Sequence, residues 1–313
     1  MANYKPKSPA FKVSKLTLTT FLIVEYNDIY DEHPFIYVKI NRPSNTILII
    51  DTGCGGATDD PNVDLKDLRV FIETVDVDQN DGRPLNHGGK MKYIVALTHC
   101  HYDHILGIES FAKDSEILVS GHSPSFISPT NLPTHSLCKR LGVKTPQYTP
   151  KLVPHGYAIL PDSSSLDSLG VILHTPGHTP DELAIWDESE RMLYVGDTLY
   201  EWAHIIFPNE GSIVTWFQTI DSLITLVTPY DGANISCGHT TAGRPAGEVL
   251  GGAKTFMLDV VEGREKVRRK FDKYGVVTVE YVQEGMRFSL ICPERLILEA
   301  RKDRGVVIGD LIQ

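Results

Sequence analysis

The chain has few cysteines, no long apolar run and no excess of positive charge. Its five cysteines contain no CxxC pair, and an odd number in a chain of 313 residues is typical of reduced thiols rather than of a disulfide framework. No apolar stretch approaches the roughly 18 residues that a membrane-spanning helix needs. The first residues, MANYKPKSPAFK, lack the apolar core of a secretory signal. We therefore expect a cytoplasmic protein that does not bind membranes.

Basic residues are outnumbered, with 30 Lys and Arg against 40 Asp and Glu, which gives a formal net charge of −10. An acidic chain repels the phosphate backbone of nucleic acids at long range. We expect a small-molecule substrate and no nucleic-acid partner, and the sequence leaves the oligomeric state open.

The chain also lacks internal repeats, charge blocks and low-complexity segments. Apolar residues make up 42% of it and charged residues 22%, which is typical of a globular protein. A chain of this length buries roughly three-quarters of its unfolded surface, so it needs no disulfide to be stable. We predict a single domain over residues 1–313. It would contain a Pro-rich insertion at about 121–168, made of loop and short helix, and a helix-plus-strand extension at about 247–313.

Short apolar runs bounded by turn residues predict β-strands along most of the chain. These runs are TILIIDTG (46–53), KYIVALTH (92–99), EILVSG (116–121), LGVILHTPG (169–177), ELAIWD (182–187), RMLYVGD (191–197) and NISCGH (234–239). The tail after Gly275 is expected to add one or two edge strands.

Two segments show the spacing of an amphipathic helix. The first runs from Ser212 to Val227. The second runs from Gly247 to Lys273, and its basic end, GREKVRRKFDK, suits a helix C-terminus.

The segment THCHYDH, directly after the strand KYIVALT, carries the strongest chemical signal. It places His99, His101, Asp103 and His104 within six positions. Residues two apart at the end of a strand point the same way, so His99 and His101 can face one centre. Burying several imidazoles and a carboxylate without a cation costs desolvation energy. The cluster therefore favours a metal site over core packing.

Three further strand ends supply metal-ligand side chains beside a glycine. His178 follows LGVILHT, Asp197 follows RMLYVG, and His239 follows NISCG. Strand ends that meet at one rim of a sheet are where such proteins build their sites. Two cysteines adjoin these motifs. The side chain of Cys100 should point away from the metal, and Cys237 is a weak candidate ligand.

With IDTG at residues 50–53, this ordered set of motifs resembles the metallo-β-lactamase superfamily over roughly Leu16 to Arg244. The resemblance implies an α/β fold of the four-layer αββα sandwich type. It also implies a binuclear site at one edge, with two Zn²⁺ ions expected and Fe or Mn left open. His99, His101 and His178 would hold the first metal, Asp103, His104 and His239 the second, and Asp197 would bridge them. Asp51 would accept a hydrogen bond from a ligand imidazole.

The resemblance further implies hydrolysis, in which a metal-bound hydroxide attacks a carbonyl carbon and Asp103 moves a proton. In the lactonases of the superfamily, a Tyr at the spacing of Tyr200 contacts the substrate carbonyl. Trp202 and Phe207 are expected to wall an apolar pocket, and His204 is a candidate donor near it.

The fold alone does not determine the substrate. The all-N/O ligand set, Tyr200 and the apolar wall favour a hydrolase that opens a lactone or a γ-lactam, including benzoxazolinone-type rings. One alternative is a thioester hydrolase similar to glyoxalase II, since the segment GREKVRRK supplies basic residues. Another is a sulfur dioxygenase with a single iron.

Overall fold

The computed structural model describes residues 8–162 and 167–306. The chain divides into two compact units, Met1–Ile172 and Leu173–Gln313. Each unit contains both strands and helices, which confirms the α/β class. The assignment of residues 1–313 to one domain stays a prediction. No helix among the described residues has both the length and the apolar composition needed to cross a membrane.

The first unit contains a seven-stranded sheet in which the strands follow one another in chain order. Strands β1 to β4 are antiparallel to their neighbours, whereas the strands from β4 to β7 are parallel. The strands are β1 (Phe11–Lys15), β2 (Thr20–Glu25), β3 (Phe35–Asn41), β4 (Thr46–Ile50), β5 (Lys92–Ala96), β6 (Glu116–Ser120) and β7 (Lys151–Val153).

The parallel pairing of β4 and β5 positions the first group of polar side chains. All five residues of β4 are buried, as expected of a strand covered on both faces. Ile50 pairs with Ala96 in register, and the backbone N–H of Asp51 donates to the Ala96 carbonyl at 2.9 Å. The segments that begin at Asp51 and Leu97 therefore leave the sheet side by side.

The Pro-rich insertion contains more strand than its composition predicts. Besides the short helices α3 (Leu132–His135) and α4 (Cys138–Leu141), it contains β7 and β8 (Tyr157–Ala158). The expectation of loop and helix alone was wrong because β7 can pair with the edge of β6, and β8 pairs with β9 (Val171–His174). Residues 163–166 lie outside the described part of the chain. The other helices of this unit are α1 (Leu68–Thr74) and α2 (Tyr102–Ile105).

In the second unit, parallel strands again bring two ligand-type side chains to one edge. The strands β10 (Leu183–Asp187), β11 (Met192–Tyr194), β13 (Asn234–Ser236) and β14 (Arg244–Pro245) lie in one sheet. Tyr194 of β11 pairs with Ser236 of the parallel strand β13. Asp197 and His239 each lie three residues beyond these partners, so both emerge at the same edge.

A second sheet of this unit has the order β12, β17, β16, β15. Its strands are β12 (His204–Ile206), β15 (Arg269–Lys273), β16 (Val276–Val282) and β17 (Ser289–Pro293), and the helices of the unit are α5 (Ile213–Val227), α6 (Ala246–Val261) and α7 (Glu294–Asp303). The prediction of α5 is confirmed. Ser212 caps it by accepting a hydrogen bond from the backbone N–H of Thr215.

The predicted basic end of α6 was wrong. The tail after Gly275 does add two strands, β16 and β17, but the prediction that they lie at an edge was wrong. The helix ends at Val261, and the basic residues that follow lead into β15. Antiparallel pairing explains the difference, because Arg269 lies opposite Glu280 of β16 and their side chains form an ion pair at 2.9 Å. In this sheet β16 and β17 are interior strands, and residues 294–303 form a helix.

Candidate metal centre

The turn after β5 buries four ligand-type side chains, His99, His101, Asp103 and His104. Nε2 of His99 lies 2.9 Å from Nδ1 of His101. Nε2 of His104 lies 3.4 Å from a carboxylate oxygen of Asp103. These are compact groups of buried nitrogen and oxygen donors, and their burial favours a bound cation.

Asp51 holds this turn in place through three hydrogen bonds. Its carboxylate accepts from the backbone N–H of Thr98 at 2.7 Å and from the Thr98 hydroxyl at 2.8 Å. It also accepts from Nδ1 of His104 at 2.8 Å. Because the proton of the neutral ring is then on Nδ1, the lone pair is on Nε2, which faces Asp103. This geometry suits His104 to bind a metal through Nε2.

The loop that follows Asp51 depends on a buried glutamate that the sequence analysis missed. Glu25, at the end of β2, is fully buried and accepts a hydrogen bond from the backbone N–H of Gly56 at 3.2 Å. A Cβ on Gly53 would lie 2.3 Å from a carboxylate oxygen of Glu25, so only glycine fits there. Burial raises the pKa of Glu25 to about 8. The strand β2 was not predicted, so no sequence signal pointed to this carboxyl group.

The second unit contributes three buried ligand-type side chains, His178, Asp197 and His239. Nδ1 of His178 donates to the Ile206 carbonyl at 2.7 Å, which leaves the lone pair on Nε2. That Nε2 lies 4.0 Å from one carboxylate oxygen of Asp197, and Nε2 of His239 lies 3.5 Å from the other. An imidazole therefore faces each oxygen of Asp197, as a carboxylate that bridges two cations requires.

The candidate substrate residues lie in different environments. The ring of Tyr200 is buried with its centroid 5.5 Å from that of His239. Phe207 is buried with its ring 6.4 Å from His178. Trp202 is 57% exposed, and its backbone has a φ of 61°, which is unusual for a bulky residue.

His204 is a half-exposed residue of β12, with its Nε2 3.7 Å from a carboxylate oxygen of Glu280. Burial lowers the pKa of this histidine more than the nearby Glu280 carboxylate raises it. The substrate roles of His204, Tyr200, Trp202 and Phe207 stay predictions.

A second buried carboxylate that the sequence analysis missed is Glu201. It is fully buried and forms ion pairs with Arg244 at 3.1 Å and Arg287 at 2.8 Å. Its backbone N–H donates to the hydroxyl of Thr241, and its carbonyl accepts from the hydroxyl of Thr240, both at 2.7 Å. The Tyr200–Trp202 segment is thereby tied to the loop that follows His239.

The cysteines next to the motifs pack as small apolar side chains. Cys100 lies in the hydrophobic core of the first unit and Cys237 in that of the second. Burial raises the pKa of the Cys237 thiol well above its ordinary value. The position of both cysteines in apolar cores fits a packing role.

Known proteins resemble this chain in sequence. The profile of the metallo-beta-lactamase superfamily matches residues 86–239. The "Putative transcription factor avaE" of Aspergillus versicolor is 34% identical over 306 residues, which cover 93% of this chain and 89% of that protein. The "Probable metallo-hydrolase YflN" of Bacillus subtilis is 29% identical over 123 residues, which cover 36% of this chain and 46% of that protein.

Solved structures resemble the chain in fold. A metallo-beta-lactamase family protein from Thermus thermophilus superimposes with a TM-score of 0.55 at 17% identity, covering 78% of this chain and 81% of that one. At this identity the likeness concerns the fold alone. It confirms the predicted αββα sandwich.

Proposed function

This chain belongs to the metallo-β-lactamase superfamily, and we propose that it is a metal-dependent hydrolase that opens a cyclic ester or a cyclic amide. The observation that carries the proposal is the set of buried His and Asp side chains that lie beyond the ends of strands in each unit. We assign His99, His101 and His178 to one ion, and Asp103, His104, Asp197 and His239 to a second. In this assignment Asp197 is shared between the two ions.

The donors fit a pair of zinc ions. They are imidazole nitrogens and carboxylate oxygens without a thiolate, and zinc accepts both kinds. The Asp51 carboxylate and the Ile206 carbonyl each hold a ligand imidazole through Nδ1 and direct its Nε2 towards the proposed centre. When bound, two such ions would lower the pKa of water and polarise a carbonyl oxygen.

The chain's own residues would supply positioning and proton transfer. Asp103 is a buried carboxylate that can hold the proton released when water attacks and return it to the leaving atom of the opened ring. Tyr200, packed against His239, would donate its hydroxyl proton in a hydrogen bond to the substrate carbonyl oxygen. Phe207 would exclude water beside His178.

A thioester hydrolase is less well supported by the second unit. The basic segment that suggested it does not extend α6, and its Arg269 and Lys270 pair with Glu280 and Glu294. Guanidinium and ammonium groups that are already paired offer less to an anionic thiol cofactor.

The name of the Aspergillus relative raises a third function, transcriptional regulation. A net charge of −10 opposes binding to a DNA backbone. We therefore propose a small-molecule substrate and no nucleic-acid partner for this chain.

A hydrolysis panel tests the proposal. Zinc-loaded protein is assayed on lactones, γ-lactams, β-lactams and S-lactoylglutathione, with zinc and iron counted per chain. We expect close to two zinc ions and turnover of a lactone or a γ-lactam. Turnover of the thioester alone, or one iron per chain with uptake of oxygen, would contradict the proposal.

A matched pair of variants controls the panel. Asp103→Asn should keep the fold and lower the turnover by about 100-fold or more. Asp114→Asn, at a half-exposed aspartate of the same unit that pairs with Arg69, should turn over like the wild type.

A further inference from the structure

The first turns of α5 contact the two loops that carry His178 and Asp197. Trp216, in the second turn of α5, is fully buried, and its indole N–H donates to the Thr198 carbonyl at 2.6 Å. Thr198 directly follows Asp197. This hydrogen bond therefore ties the backbone next to the proposed bridging carboxylate to a rigid helix.

The same helix supports the turn before His178. The backbone N–H of Ser212 donates to the Gly177 carbonyl at 2.8 Å, and the hydroxyl of Thr219 donates to the Pro176 carbonyl at 2.7 Å. A Cβ on Gly177 would lie 2.9 Å from both Cα and Cβ of Trp216, so the turn rests directly on this residue. Trp216 thus contacts two of the three ligand loops of the second unit, those of His178 and Asp197.

We propose that Trp216 is a positioning residue for the metal centre, which sets the separation between His178 and Asp197. The inference rests on the proposed function and adds a residue that the metal does not touch. Nε2 of His178 lies 4.0 Å from Asp197. Because His178 and Asp197 are each adjacent to a residue that contacts Trp216, a shift of either loop on α5 changes that separation. Partners that orient metal ligands typically contribute 10- to 100-fold to metal affinity.

The variant Trp216→Phe tests the proposal, since it removes the indole N–H and keeps an aromatic ring. Zinc affinity is measured by competition with a chelator, and the secondary structure by circular dichroism. We expect a 10- to 100-fold weaker zinc affinity with an unchanged far-ultraviolet spectrum. In Co²⁺-substituted protein, the visible absorption bands should shift, because the geometry of the ligands changes.

Trp186→Phe is the matched control. Trp186 is a buried tryptophan of β10 in the same apolar cluster, and its ring packs against Tyr230 at 4.9 Å. This variant makes the same substitution at a core residue that lies outside the ligand loops. It should therefore bind zinc like the wild type. Equal zinc affinities for Trp216→Phe and Trp186→Phe would overturn the proposal.

A second variant keeps the test valid if Trp216→Phe does not fold. Thr219→Val removes the hydroxyl that donates to the Pro176 carbonyl and keeps the shape of the side chain. Its zinc affinity should also fall, and an unchanged affinity would contradict the role of α5. A wild type that binds two zinc ions but opens no ring would contradict the proposed function and leave this inference standing.

Discussion

At the scale of single residues, the candidate centre is defined by which nitrogen of each imidazole carries the proton. Asp51 accepts from Nδ1 of His104, and the Ile206 carbonyl accepts from Nδ1 of His178. Both contacts leave Nε2 as the donor to a metal. A ligand set of this kind is specified by residues that never touch the ion.

Tyr200 is the residue whose proposed role differs most from that of its neighbours, because it would contact substrate rather than metal. In Tyr200→Phe the ring remains to pack beside His239, and only the hydroxyl is lost. We expect kcat on a cyclic ester or amide to fall by about 100-fold, as for the loss of one carbonyl-contacting donor. Metal content should stay unchanged.

Steady-state kinetics and metal analysis on the same preparation check this expectation. Tyr194→Phe serves as the control, since Tyr194 is a buried tyrosine within β11 rather than beyond its end. A wild-type kcat in Tyr200→Phe would exclude the carbonyl contact.

At the scale of elements, the parts predicted from sequence are those whose signal is local. The strands β4 and β5 are continuous apolar runs, and α5 has a one-sided apolar stripe that Ser212 caps. The motif THCHYDH identified the ligand-type residues for the same reason, since four of them lie within six positions.

The elements and residues that were not predicted from the sequence depend on contacts between segments that are far apart along the chain. No local sequence pattern around Arg269 predicts a strand, because β15 forms only through its pairing with β16. The buried carboxyl groups Glu25 and Glu201 were missed for a related reason. Each is satisfied by partners that are distant in sequence, since Gly56 lies 31 residues from Glu25 and Arg244 lies 43 residues from Glu201.

Because Glu25 holds a loop together, its ionisation makes the free energy of unfolding depend on pH. In the unfolded chain Glu25 ionises near 4.5, whereas in the folded chain it keeps its proton up to about pH 8. The folded state binds the extra proton between these values, so this group's contribution to the free energy of unfolding falls by roughly 1.4 kcal/mol per pH unit across that window. Above pH 8 the contribution is fully lost.

Glu25→Gln cannot ionise, so its free energy of unfolding should fall less than that of the wild type between pH 5.5 and pH 8.5. Urea unfolding at the two pH values measures the difference. Glu116→Gln, at an exposed glutamate of β6, should follow the wild type. Parallel pH profiles for wild type and Glu25→Gln would mean that the carboxyl group is already ionised in the folded protein at neutral pH.

At the scale of the whole molecule, the proposed centre links metal binding to folding. The unfolded chain does not hold the assigned ligands together, so an ion that binds the folded state stabilises it. For each site, the gain is about 1.4 kcal/mol for every tenfold excess of zinc over its dissociation constant. Removal of the metal by a chelator should therefore lower the melting temperature, and added zinc should restore it.

Thermal unfolding of the metal-free protein across a zinc titration measures this effect. Because the chain carries a net charge of −10, divalent ions also bind its surface weakly, and a parallel titration with magnesium accounts for that contribution. His101→Ala removes one assigned ligand of the first ion and should reduce the dependence of the melting temperature on zinc. If chelator, zinc and magnesium left the wild type with one melting temperature, the buried imidazoles and carboxylates would not form a metal site, because an ion bound only to the folded state must stabilise it.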